Sequence, residues 1–161
     1  NFTGTLQQNG AGIGGANTPF FKAYNNSGFS FSSSSTTKMR MNVVAFESNS
    51  GSFSTTNYNF TVPANEGGKY FCHYSFYLNS ATNARGMGYI FVNNTERLFN
   101  EVVALDDYSA VCFLQGSGIV NVSAGDTIDC RAYYNAGSPE LEGNTYTDGR
   151  FSYFEGFKII E

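Results

Sequence analysis

The stretch Lys69-Tyr70-Phe71-Cys72-His73-Tyr74-Ser75-Phe76-Tyr77-Leu78 decides how this chain folds. In an extended strand successive side chains point to opposite faces. Tyr70, Cys72, Tyr74, Phe76 and Leu78 therefore share one side, and Phe71, His73, Ser75 and Tyr77 the other. Both sides carry aromatic rings, so this strand needs cover above and below. One cover is expected to be the interior of a sandwich. The other is expected to be a partner chain, with loops of the same chain as the alternative.

Working outward, no helical periodicity interrupts a series of β-rich runs separated by Gly, Asn, Ser and Asp. Strands are expected over 18–24, over 37–46, and over 53–62, where Tyr58, Phe60 and Val62 alternate with Asn57, Asn59 and Thr61. After a turn at Pro63-Ala64-Asn65-Glu66-Gly67-Gly68 and the central stretch come strands over 85–92 and 96–103, joined by Asn93-Asn94-Thr95. One or two strands follow over 109–122, a tight turn at Ala124-Gly125-Asp126, a strand over 127–134, a polar loop over 135–149, and a closing strand over 151–160. Eight to ten short strands at this spacing predict an all-β sandwich or jelly roll. Residues 1–17 are Gly- and Asn-rich and read as an arm or linker, leaving 18–161 as the domain. Within the arm, Gly10-Ala11-Gly12-Ile13-Gly14-Gly15 fits a dinucleotide-binding glycine pattern. It has no preceding strand, following helix or acidic residue about 20 positions on, and is rejected.

Several segments together resemble the globular-head domain of complement C1q. Met41, Glu47, Phe53 and Phe60 stand near the places of that family's Phe, Asn/Asp, aromatic and Phe, followed by Gly68-Lys69-Tyr70-Phe71-Cys72-His73-Tyr74 for its Gly-x-Tyr-x-Phe-x-aromatic run. Val120-Asn121-Val122-Ser123-Ala124-Gly125-Asp126-Thr127-Ile128 is similar to its strand–Gly-Asp–strand turn, and Phe154-Glu155-Gly156-Phe157 to its closing strand. The departures (Met41, Glu47, Cys72 and two extra residues before Gly68) mark a distant relative. The resemblance covers about 18–161 and implies a ten-stranded, two-sheet C1q/TNF-like jelly roll, assembled as a tight trimer that binds ligands through exposed loops. The opening Thr18-Pro19-Phe20-Phe21-Lys22-Ala23-Tyr24 is similar to that of C1q-like domains in structural proteins of marine bacteriophages. Independently of the family, Gly68 and Gly125 suit turns needing positive φ. Phe60, Tyr70, Tyr74, Phe154 and Phe157 suit inward positions, and Gly156 suits close approach of a neighbouring backbone.

Composition narrows the function. The chain has 161 residues, 17% aromatic and 14% charged, with a net charge of −4 and no basic run. Phosphate binding needs clustered Lys or Arg, so nucleic acid is excluded as a partner. Cys72, Cys112 and Cys130 are widely spaced and odd in number; they read as buried free thiols rather than a disulfide framework, which favours assembly in a reducing host cytoplasm. Neither a signal peptide nor a membrane-spanning run of about 20 apolar residues is read in the sequence. A first residue of Asn1 rather than Met is expected of a processed chain or a piece of a longer one. The Asn-x-Ser/Thr triplets at Asn1, Asn25, Asn59, Asn93 and Asn121 are expected by chance in so Asn-, Ser- and Thr-rich a chain.

The expected role is therefore binding and assembly, not catalysis. His73 is the sole histidine and has no catalytic Ser or Cys beside it in sequence. Phe71, His73 and Tyr77 are assigned to a trimer interface. Asn83, Arg85, Asp106, Asp107, Tyr108, Glu140, Glu142 and Asp148 are assigned to ligand-facing loops. No cofactor or metal is expected; calcium at the Asp106-Asp107, Glu140, Glu142 and Asp148 carboxylates is the alternative considered. The preferred reading is a bacteriophage virion-surface protein, as capsid decoration or a fibre or tail knob, anchored through residues 1–17 to a neighbouring virion or stalk protein. Its candidate ligand is a host receptor or glycan. The other reading is an extracellular C1q-like ligand-binding protein or lectin.

Overall fold

The computed structural model describes residues 7–8, 11–12, 17–79, 85–103, 111–143 and 151–159, with backbone only for 7–8, 11–12, 101–103 and 111–112. Among the described residues the chain forms strands and no helix. In chain order these are β1 (Gln7–Gln8), β2 (Ala11–Gly12), β3 (Phe20–Tyr24), β4 (Phe29–Ser30) and β5 (Thr37–Lys38). Then come β6 (Val43–Glu47), β7 (Phe53–Ser54), β8 (Asn59–Thr61), β9 (Gly68–Asn79) and β10 (Arg85–Val92). The remainder are β11 (Thr95–Val103), β12 (Val111–Val122), β13 (Thr127–Tyr134), β14 (Glu140–Leu141) and β15 (Tyr153–Lys158). β1 and β2 pair with each other, inside the expected arm.

The other strands form two antiparallel sheets. One runs β11-β10-β13-β8-β7, with β5 also on β13. The second runs β12-β9-β15-β3-β6, with β14 extending the β15 position along β9 and β4 beside β14. Among the described residues thirteen strands make up the two sheets, of which β4, β5, β7 and β14 are two-residue pieces. This two-sheet, all-β jelly roll is the architecture expected from the sequence. Between the sheets lies one aromatic core. Phe21 stacks on Phe60 at 4.4 Å and meets Phe154 edge-on at 5.0 Å, while Tyr74 stacks on Phe76 at 4.7 Å. Every even-numbered side chain of β9 from Tyr70 to Leu78 is buried there, as the alternation requires. Cys72 and Cys130 are buried free thiols; the Cys112 side chain lies outside the described residues.

Two expected strands are each broken in two. Residues 37–46 cross from one sheet to the other: β5 pairs β13, β6 pairs β3, and Met39 and Met41 are buried at the crossing. Residues 53–62 form a hairpin with Phe53 opposite Phe60, and Tyr58 sits in its turn at φ 53° rather than on the face of Phe60 and Val62. The reverse holds over 111–122, where Gly116 and Gly118 stay inside one strand. They do so because Tyr74 and Leu98 fill the space their side chains would need. Residues 140–141 leave the expected polar loop because buried Leu141 sits opposite Leu78 on β9.

The turns behave as their residues demand. Gly68 has φ +140° and Gly125 φ +86°, values that side-chain-bearing residues rarely adopt. At the second turn the Asp126 carboxylate accepts from the Ser123 N–H and the Asn93 amide, both at 2.7 Å. Gly156 pairs in regular register, and a Cβ there would lie 2.8 Å from the Phe71 carbonyl oxygen, so close approach and not a bulge explains it. Two sequons are closed by the fold: Asn25 is fully buried and Asn59 nearly so.

Candidate functional site

The outer face of the β12-β9-β15-β3-β6 sheet is built in rows, because antiparallel register places side chains from four or five strands side by side. Ile119, Phe71, Phe157 and Phe20 form the first row. Ser117, His73, Glu155, Lys22 and Phe46 form the second. Gln115, Ser75, Tyr153 and Tyr24 form the third, and Phe113, Tyr77 and the neighbouring Phe151 close the face. Aromatic ends thus flank a polar middle. Phe157 belongs to this face and packs on Phe71 at 5.3 Å. Its expected inward position is corrected by register: Phe154 and Gly156 point in, so Phe157 points out.

The polar row is internally paired. His73 Nδ1 lies 3.2 Å from Glu155 Oε1, Lys22 Nζ lies 3.5 Å from Glu155 Oε2, and Lys22 also sits 4.2 Å over the Tyr153 ring. Ser75 is buried on this face, accepting a 3.1 Å hydrogen bond from the Gln115 amide. Ser117, His73 and Glu155 follow one another in the order of a hydrolytic triad. Among the described residues no hydrogen bond joins Ser117 to His73, while His73 and Lys22 both pair with Glu155.

Among the described residues the aromatic rows are only partly covered. Phe20, Phe46, Phe71 and Phe157 surround a depression of about 250 Å³. Phe46 is 53% exposed, and at the β11/β12 edge Phe99, Phe113 and Ile119 are 62%, 51% and 57% exposed. Large hydrophobic side chains so placed mark interaction surfaces when they are contiguous.

The expected interface residues Phe71, His73 and Tyr77 come together on this half-buried face. Of the expected loop residues, Arg85, Glu140 and Glu142 lie among the described residues. Asn83, Asp106, Asp107, Tyr108 and Asp148 lie outside the described residues. Glu140 lies on β14, and Glu142 accepts from the Asn79 amide at 3.2 Å. Arg85 opens β10 on the opposite sheet, its N–H donating to Asn135 Oδ1 at 2.6 Å. Phe20, Phe46, Phe113, Ile119 and Phe157 were missed. Alternation within 111–122 would have found Phe113 and Ile119, whereas the others needed the register between strands. Among the described residues no helix is long and apolar enough to cross a membrane.

A domain of this architecture is a two-sheet jelly roll with one outer face rich in aromatic side chains. Solved structures place the class: the chain has the C1q/TNF-like fold. It is similar to Eiger TNF from S. frugiperda (TM-score 0.64, 12% identity, covering 89% of this chain and 94% of that one). It is likewise similar to the globular domain of zebrafish complement 1qA protein (TM-score 0.63, 15% identity, 89% and 99%) and to murine APRIL (TM-score 0.60, 11% identity, 88% and 98%). No protein-family model matches the sequence. No curated protein matches it either.

Proposed function

We propose that this domain is a non-enzymatic homotrimer that forms part of a bacteriophage virion surface, as capsid decoration or as the knob of a fibre or tail. The observation carrying the assembly is the aromatic outer face of the β12-β9-β15-β3-β6 sheet, on which Phe46, Phe113 and Ile119 are 53%, 51% and 57% exposed. The polar row of Lys22, Glu155 and His73 is already paired within the subunit, so burying it leaves no charge without a partner. The threefold order follows the resemblance to C1q heads. The phage setting follows the Thr18–Tyr24 opening and the buried thiols Cys72 and Cys130. Residues 1–17 serve as the anchor to a neighbouring virion or stalk protein, and a host receptor or glycan is the ligand.

An extracellular C1q-like binding protein is the second reading, favoured by exposed sequons at Asn93 and Asn121. Light scattering tests the assembly. The wild-type chain is expected at three times its 17.6 kDa mass and the Tyr77→Glu variant at one. A wild-type mass of one chain at high concentration overturns the trimer. Antibody labelling of intact particles tests the virion; labelling confined to the fluid around cells favours the second reading.

A further inference from the structure

His73 is the one histidine of the chain, and the register of the outer face sets it beside a pair of opposite charges. On β15, Glu155 stands directly opposite His73 on one side and directly opposite Lys22 on the other. Its two carboxylate oxygens divide between them: Oε1 lies 3.2 Å from His73 Nδ1 and Oε2 lies 3.5 Å from Lys22 Nζ. The rest of this row is uncharged. Ser117 faces the imidazole from β12, Tyr153 meets it edge-on at 5.4 Å from β15, and Phe46 ends the row on β6. Burial and Glu155 both push the Tyr153 phenol up, so it stays neutral in mild acid. On the strand of His73 itself, the next outward charge is Lys69 beyond Phe71, and it is positive.

We propose that assembly through this face is released by mild acid, with His73 as the sensor. While the imidazole is neutral, the row carries one positive and one negative charge, Lys22 and Glu155, and they cancel. Histidine is the side chain that changes charge between about pH 5 and pH 8. A proton on His73 leaves two cations sharing one carboxylate, a surplus of one positive charge in every copy. The new His73–Glu155 attraction does not offset this, because Glu155 is already matched by Lys22. In a separate chain the surplus is tolerated: the His73 and Glu155 side chains are 24% and 34% exposed, and water screens them. Covering the face with a second copy removes that water, and an unbalanced charge out of water is strongly disfavoured. Each copy brings the same surplus, so symmetry multiplies the effect. The assembly therefore holds fewer protons than the separate chains, and by linkage it weakens as pH falls.

The inference deepens the assembly reading and rests on it. Light scattering on the full chain, over a concentration series at about pH 8 and about pH 5, measures trimer dissociation at each. Far-UV circular dichroism follows the fold under the same conditions. The wild-type trimer is expected to dissociate at least about tenfold more readily at the acid pH. In His73→Gln, whatever its own affinity, the ratio between the two pH values is expected to shrink to within about twofold. His73→Asn is a second neutral replacement, held to the same ratio. A wild-type trimer equally stable at both pH values, or tighter in acid, overturns the proposal and leaves the assembly standing. So does a pH dependence that persists in both neutral variants, or acid dissociation that coincides with loss of the fold. Failure of both neutral variants to assemble at either pH also overturns it, because the face then needs the imidazole itself and not its neutrality. A single wild-type chain at about pH 8 overturns the assembly, and this proposal with it.

Discussion

The Tyr74 ring passes between Gly88 on one sheet and Gly116 on the other, where a Cβ on either glycine would lie within 2.6 Å of its Cζ. The two glycines are therefore the socket of one tyrosine, and the tyrosine is the joint between the sheets near the β11/β12 edge. Its hydroxyl is buried without a hydrogen-bond partner among the described contacts, and burial pushes its pKa up. A buried, unpaired hydroxyl is a cost to the fold. Tyr74→Phe is expected to raise stability by about 1 kcal/mol. Gly116→Ala and Gly88→Ala are expected to lower it by about 1–3 kcal/mol through overpacking. Urea unfolding checks the three variants; a destabilised Tyr74→Phe would show that the hydroxyl is satisfied.

Cys72 and Cys130 sit in the same core. Burial pushes the Cys72 thiol from 9.0 up to about 12, and it also raises Cys130 well above the ordinary range, with Asp129 adding to it. Neither thiolate forms in the folded state at neutral pH, and the thiolate is the nucleophile. Iodoacetamide is expected to leave both untouched in the native protein and to label both in guanidinium, read by mass spectrometry. Because folding raises these pKa values, their contribution is complete below about pH 9 and is lost as pH rises from there toward 12. Melting temperature is accordingly expected to fall on the alkaline side, and less so in Cys72→Ala.

Asp126 titrates in the opposite sense. The Ser123 N–H and the Asn93 amide hold its carboxylate below the usual range, with Arg97 adding a smaller pull. A depressed pKa contributes stability above the unfolded value, about 3.9, that is lost as pH falls through the folded one. Asp126→Asn is expected to melt at a lower temperature than the wild type at pH 7, with the difference closing in strong acid. A gap of equal size at both pH values would show that the turn depends on shape and not on charge.

How much of this was legible beforehand differs from element to element. The stretch around Tyr70 to Leu78 was readable because a period of two is a property of one strand alone, and its buried and half-exposed positions follow directly. The turn at Gly125 was readable because only glycine suits its backbone. By contrast, the hairpin within 53–62 was hidden: alternation through Tyr58 looks like a strand until Phe53 is seen opposite Phe60. Phe157 was hidden as well, since an apolar residue in an apolar strand has no preferred side until the register with β9 is known.

By itself the sequence determined the class of fold and the central strand with its two aromatic sides, because these depend on residue type and local period. Only the tertiary structure decided which rings share a face, that Glu155 stands between His73 and Lys22, and that Arg85, Tyr89 and Tyr133 meet on the far sheet. The physical reason is that hydrogen-bond register between strands distant in the chain sets lateral neighbours. A local pattern fixes only which way each side chain points along its own strand.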